Sequence, residues 1–244
     1  MSVTLSFNSL KGGVGKTTCA ILFARVLRDA GYAVLLVDLD PQYSLTSYYA
    51  EGDPPEGRSL VTYLGQRSVR LAEVLLLHDG LSVLGGSVEL VDYNIARRLR
   101  KDSYALRKKF ERDGVEETYD FIIIDTPPTF SFLNSLSLPL ADRIFLVTVP
   151  EIWSVRAVSH YLEALRQFTR DLDTRYEDVH LVVNRYAKDQ RADTDTLAAL
   201  VEKYSEYYTG PPIPTSAALR NFLLNKKNYK QYFHRVEEPI RTIV

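Results

Sequence analysis

Short apolar runs separated by longer amphipathic stretches are the feature that most restricts how this chain can fold. Five runs of aliphatic and β-branched residues indicate strands, and a weaker candidate lies at 80–85. The five runs occupy 3–7, 33–40, 119–128, 143–150 and 179–185. Strands that are apolar throughout are typical of parallel sheets covered on both faces by helices. The sequence therefore predicts a doubly wound α/β fold with a mostly parallel sheet flanked by helices.

The size and charge of the chain narrow its class. Its 244 residues are 45% hydrophobic, enough for a sizeable core. We expect a single domain over residues 1–244 with a helical C-terminal segment at about 215–244. The formal net charge is -1, so attraction to nucleic acid or membrane must come from local patches.

Cysteine usage and hydropathy indicate the compartment. Cys19 is the only cysteine, which excludes an intrachain disulfide and a thiolate-held metal cluster within one chain. No apolar run approaches the roughly 20 residues that a membrane span requires. We expect a cytoplasmic protein.

Polar residues follow four of the predicted strands. In an open α/β sheet, ligands bind beyond the carboxyl ends of the strands. The residues expected at that edge are Gly12 to Thr18, Asp38, Asp40, Asp125 and Asn184. A buried sheet alone explains the apolar runs but not this placement of carboxylates.

The glycine-rich segment KGGVGKTT (11–18) lies between the first strand and a predicted helix. Its three glycines let backbone N–H groups turn inward, and the helix N-terminus presents positive partial charge to the same anion. Lys16 supplies a charge for the outer phosphates, and the Thr17 hydroxyl suits a Mg²⁺ shell. The strict phosphate-binding pattern would place a glycine where Leu10 stands, and Lys11 is an additional lysine.

Three motifs in order resemble those of the ParA/MinD family of P-loop ATPases. KGGVGKTT (11–18) resembles its deviant Walker A motif, VLLVDLDPQ (34–42) its second aspartate motif and FIIIDTPP (121–128) its Walker B segment. DLDPQ is more similar to ParA-type partition ATPases, whereas the segment YSLTSYY after Gln42 departs from many of them. The resemblance implies a P-loop NTPase fold, ATP and Mg²⁺ as cofactors, and ATP hydrolysis.

The same resemblance implies a role for each site residue. Catalysis would fall to Lys11, Lys16 and Asp40, and the Mg²⁺ shell to Thr17, Asp38 and Asp125. The nucleotide would contact Lys11, Gly12, Gly13, Val14, Gly15, Lys16, Thr17, Thr18 and Asn184. Lys11 would reach the nucleotide of a second subunit, which implies a homodimer. The simpler alternative for Asp38, Asp40 and Asp125 is that they only end strands or cap helices. The simpler alternative for Asn184 is that it only forms a turn.

Two basic clusters, at 97–112 and 220–235, are candidates for nonspecific DNA binding. The residues favoured for DNA contact are Arg97, Arg98, Arg100, Lys101, Arg220, Lys226, Lys227 and Lys230. A solvated basic helix face is the alternative for each cluster. The resemblance to ParA implies a dimer that binds DNA with ATP, associates with the nucleoid and is released when a ParB-type partner stimulates hydrolysis.

Other members of the family act elsewhere. A MinD-like membrane ATPase would need a terminal amphipathic helix, and VEEPIRTIV carries Pro239 and two glutamates. A metallocluster carrier needs more cysteines than Cys19, and a tyrosine kinase of this fold would cluster its tyrosines at the terminus. An ATPase that positions flagella or other cell-surface machinery shares all three motifs and stays open.

Overall fold

The protein is described by a computed structural model that covers residues 2–50, 55–91 and 102–216. Within these residues one sheet contains seven strands. The strands are β1 (Val3–Asn8), β2 (Val34–Asp38), β3 (Leu75–His78), β4 (Leu81–Leu84), β5 (Phe121–Asp125), β6 (Arg143–Thr148) and β7 (Asp178–Val183). Their order is β3-β4-β2-β5-β1-β6-β7. All pairs are parallel except the antiparallel pair β3 and β4.

Helices connect the parallel strands and cover the sheet. They are α1 (Lys16–Asp29), α2 (Ser44–Ala50), α3 (Leu60–Gly65), α4 (Leu71–Val74), α5 (Ala105–Asp113), α6 (Val115–Thr118), α7 (Phe132–Ser137), α8 (Ser154–Asp171) and α9 (Arg191–Lys203). A 3₁₀ turn spans Val88–Val91. This arrangement confirms the doubly wound α/β fold.

The strands in the middle of the sheet are apolar along their whole length because both of their faces are buried. Along β5, Ile123 packs into the core on the α1 side, whereas Ile122 and Ile124 pack into the core beneath α3 and α5. On the α1 side the rings of Phe7 and Phe145 stack with their centroids 4.9 Å apart. The continuous apolar runs in the sequence therefore reflect a sheet that is covered by a core layer on each face.

The structure confirms the six predicted strands and adds one. The weak candidate at 80–85 forms β4, which pairs with the short antiparallel strand β3 at the edge of the sheet. The sequence reading missed β3 because its four residues are too few to show a strand period, and Leu77 among them is exposed. The expected helical segment at about 215–244 lies almost entirely outside the described residues.

A buried carboxylate joins three helices on one side of the sheet. The Asp113 side chain accepts hydrogen bonds from the Tyr63 hydroxyl at 2.9 Å and from the Leu71 N–H at 2.8 Å. The guanidinium groups of Arg70 and Arg112 also donate to it. Burial by itself raises the pKa of Asp113, but these hydrogen bonds outweigh it and hold that pKa well below its usual value.

We expect Asp113→Ala to lower the free energy of unfolding by about 1–3 kcal/mol at pH 7, because it leaves buried donors without an acceptor. A depressed carboxyl pKa contributes stability that is present above the unfolded pKa and lost as the pH falls. The difference from wild type should therefore narrow below about pH 4. Urea unfolding at neutral and acidic pH measures both effects.

Asp195→Ala is the matched control, since Asp195 is exposed and pairs with Arg191 at 3.6 Å on the surface of α9. Its effect should stay within about 0.5 kcal/mol. Equal losses for the two variants would contradict the assigned role of Asp113.

Candidate functional site

The glycine-rich loop joins the end of β1 to the start of α1 and forms a backbone cradle. Gly13 and Gly15 adopt φ values of 76° and 91°, in the left-handed region that favours glycine. A Cβ atom at Gly15 would lie 2.2 Å from Nδ2 of Asn184. Gly12 differs, since a Cβ there would meet nothing within 4 Å in the described chain. Glycine is thus required at 13 and 15 by this chain's own geometry.

The first turn of α1 is open to an anion. It contains no acidic residue, and the described structure shows no side-chain hydrogen bond that caps Gly15. The N–H groups of this turn are therefore available to phosphate oxygens. Thr18 lies in this turn and is partly exposed.

Lys16, Thr17 and Asp125 meet beside the cradle. The Lys16 ammonium donates to Asp125 Oδ1 at 3.0 Å, and the Thr17 hydroxyl donates to Asp125 Oδ2 at 2.7 Å. Burial raises the pKa of Asp125, and the Lys16 charge opposes that shift. A hydroxyl and a carboxylate are the oxygen ligands that Mg²⁺ prefers, so these residues fit a magnesium-bound phosphate.

Asp40 lies at the same edge. Its Oδ1 accepts a hydrogen bond from the Gln42 N–H at 2.9 Å, and its Oδ2 lies 4.0 Å from the Lys16 ammonium. The carboxylate is therefore held next to the lysine expected to bind phosphate. Its catalytic role stays a prediction.

Asp38 supports the surrounding loops with both carboxylate oxygens. Oδ1 accepts from the Asp40 N–H at 3.1 Å, while Oδ2 accepts from the Thr46 N–H at 2.9 Å and the Thr46 hydroxyl at 2.7 Å. Burial and the nearby Asp125 raise the pKa of Asp38 to about 7. The Thr46 hydroxyl in turn accepts from the Gly86 N–H at 2.8 Å. Participation of Asp38 in the magnesium shell stays a prediction.

Asn184 contacts the loop itself. Its buried side-chain amide donates to the Val14 carbonyl at 2.7 Å and so ties the end of β7 to the cradle. This contact differs from both sequence interpretations, a ligand of adenine and a turn-forming residue. It uses one amide N–H, and adenine recognition by the rest of the group stays a prediction.

Lys11 faces outward from the opposite limb of the loop. Its ammonium pairs with the Glu151 carboxylate, and each of these side chains is 52% exposed. Lys11, Glu151, Gly13, Arg185 and Thr215 are among the residues lining an adjoining cavity of about 410 Å³. This volume lies within the range of small-molecule sites.

Sequence reasoning missed three residues that shape the site. Thr46 donates to the Asp38 carboxylate, the Gly86 N–H donates to Thr46, and a Cβ at Gly86 would lie 3.0 Å from the Asp38 carbonyl oxygen. Glu151 pairs with Lys11. The only available signal was the segment YSLTSYY, which contains Thr46 and departs from the family pattern. Gly86 and Glu151 required knowledge of which strand ends are neighbours.

The structure describes part of the first basic cluster and none of the second. Arg97, Arg98, Arg100, Lys101, Arg220, Lys226, Lys227 and Lys230 all lie outside the described residues. The described basic side chains of the first cluster donate hydrogen bonds to other groups of the protein. Arg107 donates to Glu111, Lys108 to Asp102, Lys109 to the Gln66 carbonyl and Arg112 to Asp113. These four side chains are therefore engaged in structural contacts.

Comparison with known proteins places the chain in a family. The AAA_31 family, described as an AAA domain, matches residues 2–177. The chromosome-partitioning ATPase Soj of Treponema pallidum is 30% identical over 233 residues, which cover 93% of this chain and 86% of Soj. A ParA family protein of Chlamydia pneumoniae is 31% identical over 176 residues, with 71% and 67% of the two chains covered. The chain belongs to the ParA family of P-loop ATPases.

Other proteins similar to this ParA-family chain have names that do not refer to partition. The cell division protein PomZ of Myxococcus xanthus is 29% identical over 205 residues, which cover 82% of this chain and 63% of PomZ. The ATP complex of Cyanothece McdA has a TM-score of 0.87 at 19% identity and covers 99% of this chain and 95% of McdA. The McdA likeness shows the fold alone.

Two further solved structures hold nucleotides. A putative plasmid partition protein of Borrelia burgdorferi with AMPPNP has a TM-score of 0.79 at 22% identity, with 100% of both chains covered. Cobyrinic acid a,c-diamide synthase of Mycobacterium smegmatis with ADP and magnesium has a TM-score of 0.77 at 26% identity, with 95% and 96% covered.

None of the helices in the described part of the ParA-family chain has the length and apolar character to cross a membrane.

We expect Gly15→Ala to lower the free energy of unfolding by about 1–3 kcal/mol and to abolish nucleotide binding, because its Cβ would collide with Asn184 and its φ is strained. Gly12→Ala is the matched control in the same loop. It should leave the monomer within about 0.5 kcal/mol of wild type. Urea unfolding and nucleotide titration of both variants test this, and equal behaviour would contradict the assigned geometry.

Proposed function

We propose that this chain is an ATP-dependent DNA partition ATPase whose ATP-bound homodimer binds DNA nonspecifically. The observation that carries the proposal is the convergence of Lys16, Thr17, Asp125 and Asp40 on one phosphate cradle, with Lys11 facing outward beside it. The relatives named for chromosome partitioning support the choice of DNA as cargo.

The chain's own residues divide the work of hydrolysis. ATP is the substrate whose phosphoanhydride bond water breaks, and a Mg²⁺ ion bound at this site would neutralise charge on the phosphate oxygens. The loop N–H groups and the Lys16 ammonium would hold the phosphates, while Thr17 and Asp125 would hold the magnesium shell. In this proposal Asp40, whose Oδ2 lies 4.0 Å from the Lys16 ammonium, orients the attacking water.

Hydrolysis in this proposal requires two subunits. Lys11 is half exposed and pairs with Glu151 within one chain, and in this proposal it serves the nucleotide of a second subunit. A cation directed at charge developing on the phosphates acts as an arginine finger does, and such a finger is worth about 10³ to 10⁵ in rate. A turnover that depends on dimerisation then gives a weak intrinsic activity that a ParB-type partner stimulates.

Lys11→Ala should leave ATP binding nearly unchanged and abolish turnover, because the variant keeps its own cradle but loses the cation supplied in trans. Nucleotide titration measures binding, and phosphate release measures turnover. Lys203→Ala, which removes an exposed lysine at the end of α9, is the control and should hydrolyse ATP as wild type does. Wild-type turnover in Lys11→Ala would remove Lys11 from the mechanism.

The DNA part of the proposal rests on sequence charge and on the relatives. Residues 220–235 contain five basic residues and no acidic residue, with aromatic residues between them. Such a segment neutralises phosphates without reading base sequence. A dimer that carries two copies of it would associate with the nucleoid in the ATP state.

Retention of DNA should be strong with ATP and weak with ADP or without nucleotide, because only the dimer presents two clusters together. It should fall steeply between about 50 and about 200 mM salt. A triple variant with Lys226→Ala, Lys227→Ala and Lys230→Ala should lose retention, whereas Lys188→Ala, an exposed lysine outside both clusters, should not. Equal DNA retention with ATP, with ADP and without nucleotide would rule out control of DNA binding by the nucleotide.

A second candidate is a positioning ATPase that acts on the membrane or on cell-surface machinery. The similarity to PomZ, a cell division protein, supports this candidate, because the relatives include a protein named for a role other than partition. Co-sedimentation with phospholipid vesicles beside the DNA assay separates the two. Vesicle binding that depends on ATP, without DNA retention, would select the second candidate.

A further inference from the structure

We propose that Thr46 is a positioning residue for ATP hydrolysis, which acts through Asp38 to hold Asp40 beside the phosphate cradle. This inference rests on the proposed function, in which Asp40 orients the attacking water, and it adds the residue that keeps Asp40 in place. Thr46 lies in the first turn of α2 and is fully buried. A buried hydroxyl needs hydrogen-bond partners, and those of Thr46 belong to the edge of the sheet that carries the site.

The Asp38 carboxylate is the group to which the chain after β2 is tied. Its Oδ1 accepts from the Asp40 N–H at 3.1 Å, and its Oδ2 accepts from both the N–H and the hydroxyl of Thr46. Asp40 and Thr46 thus bind opposite oxygens of one planar carboxylate. Because the carboxylate is rigid, the position of one oxygen fixes that of the other, and Thr46 thereby sets the location of the Asp40 N–H.

Water does not replace Thr46 at this carboxylate. Asp38 and Thr46 are both fully buried, and Asp38 is the register partner of the equally buried Asp125 on β5. A buried acceptor that loses its donor forfeits the hydrogen bond without gaining one to solvent. Without the Thr46 hydroxyl, the Asp38 side chain would therefore turn to another donor, and the Asp40 N–H would follow it.

The Thr46 hydroxyl also joins the end of β4 to this loop. It accepts a hydrogen bond from the Gly86 N–H at 2.8 Å. A Cβ at Gly86 would lie 3.0 Å from the Asp38 carbonyl oxygen, and one at Gly85 would lie 2.9 Å from the Thr46 methyl carbon. Glycine at both positions therefore allows the close approach. Thr46 fills the space between two strand ends and uses its hydroxyl both as donor and as acceptor.

Asp40 is fixed to its own backbone by the turn that follows it. Its Oδ1 accepts from the Gln42 N–H at 2.9 Å, and its carbonyl oxygen accepts from the Tyr43 N–H at 2.8 Å. Tyr43 adopts a φ of 41°, a left-handed conformation that a residue with a side chain holds only when its surroundings impose it. A displacement of the Asp40 N–H therefore moves the whole turn, including the carboxylate that lies 4.0 Å from the Lys16 ammonium.

Loss of the Thr46 hydroxyl should affect hydrolysis and nucleotide binding differently. In the proposed function the glycine-rich loop and Lys16 hold the phosphates, whereas Thr46 acts on the loop that follows β2. Asp40 serves the attacking water. Because a displacement of about 1 Å at a catalytic group costs about a hundredfold in rate, the rate of hydrolysis is the quantity that depends on Thr46.

The variants Thr46→Val and Thr46→Ser separate the hydroxyl from the methyl group of this side chain. Thr46→Val keeps the shape but removes the hydroxyl, so phosphate release should fall by about tenfold to a hundredfold. Its AMPPNP affinity, measured by titration with Mg²⁺, should stay that of wild type. Thr46→Ser keeps both hydrogen bonds of the hydroxyl and should retain most of the wild-type turnover.

Amide hydrogen exchange without nucleotide measures the order of this loop independently of activity. In Thr46→Val, exchange should become faster in residues 39–47 and stay unchanged in the glycine-rich loop, residues 11–18. Wild-type exchange over residues 39–47 in this variant would overturn the inference that Thr46 holds the loop.

Ser137→Ala is the matched control for the loss of a buried hydroxyl. Ser137 is fully buried on α7, where its hydroxyl also accepts one hydrogen bond, from the Ser6 hydroxyl at 3.1 Å, and donates one, to the Asn134 carbonyl at 2.8 Å. The control should lose stability to urea, as Thr46→Val does, yet hydrolyse ATP as wild type does. An equal loss of turnover in the two variants would reduce Thr46 to a structural role and overturn the inference.

Gly86→Ala displaces the same loop by a different route. Its Cβ would press on the carbonyl oxygens of Asp38 and Asp40, so turnover should fall while AMPPNP affinity is kept. If Thr46→Val does not fold, this variant decides the outcome, because wild-type turnover in Gly86→Ala would then overturn the inference.

Asp40→Ala distinguishes this inference from the proposed function. Wild-type turnover in Asp40→Ala would remove Asp40 from the mechanism and overturn both. An inactive Asp40→Ala together with a fully active Thr46→Val would leave the proposed function standing and overturn the role of Thr46 alone.

Discussion

The site depends on a buried ion pair between Lys16 and Asp125. Both side chains are shielded from water, so each charge would be strongly destabilised without the other. The pairing of β1 with β5 places Asp125 opposite Phe7, shortly before the chain enters the glycine-rich loop. Asp38 is the register partner of Asp125 on β2. The parallel register of three strands thus brings one cation and two carboxylates together, and Thr46 provides the hydrogen bonds that keep the second carboxylate satisfied.

Much of this arrangement could be predicted from the sequence because it follows from local pattern. The continuous apolar runs indicated strands buried on both faces, and parallel strands bring their carboxyl ends to one edge. That reasoning placed Lys16, Asp40 and Asp125 in one site. It did not find Glu151 beside Lys11 or the Asn184 contact to Val14, because both join residues far apart in sequence. Nor did it find β3, which is too short to carry a period and depends on pairing with β4.

Charge clusters proved harder to interpret than apolar runs. Arg112 belongs to the basic cluster at 97–112, a candidate for DNA binding, yet it donates to the buried Asp113 carboxylate. Lys109 lies with its ammonium 4.7 Å from the centre of the Tyr63 ring and hydrogen-bonds a carbonyl. A count of basic residues does not reveal which of them are already neutralised or engaged by the fold. The part of a cluster that is free to meet a phosphate is decided by tertiary contacts.

The contact between Asn184 and the glycine-rich loop also has a consequence for how the protein is made. The loop is synthesised before Asn184, which follows β7 and stands 170 positions after Val14 in the chain. A nascent chain or an N-terminal fragment that ends before β7 contains the entire phosphate-binding motif but lacks this support for it. The phosphate-binding motif is therefore synthesised before Asn184, the residue whose side chain supports it.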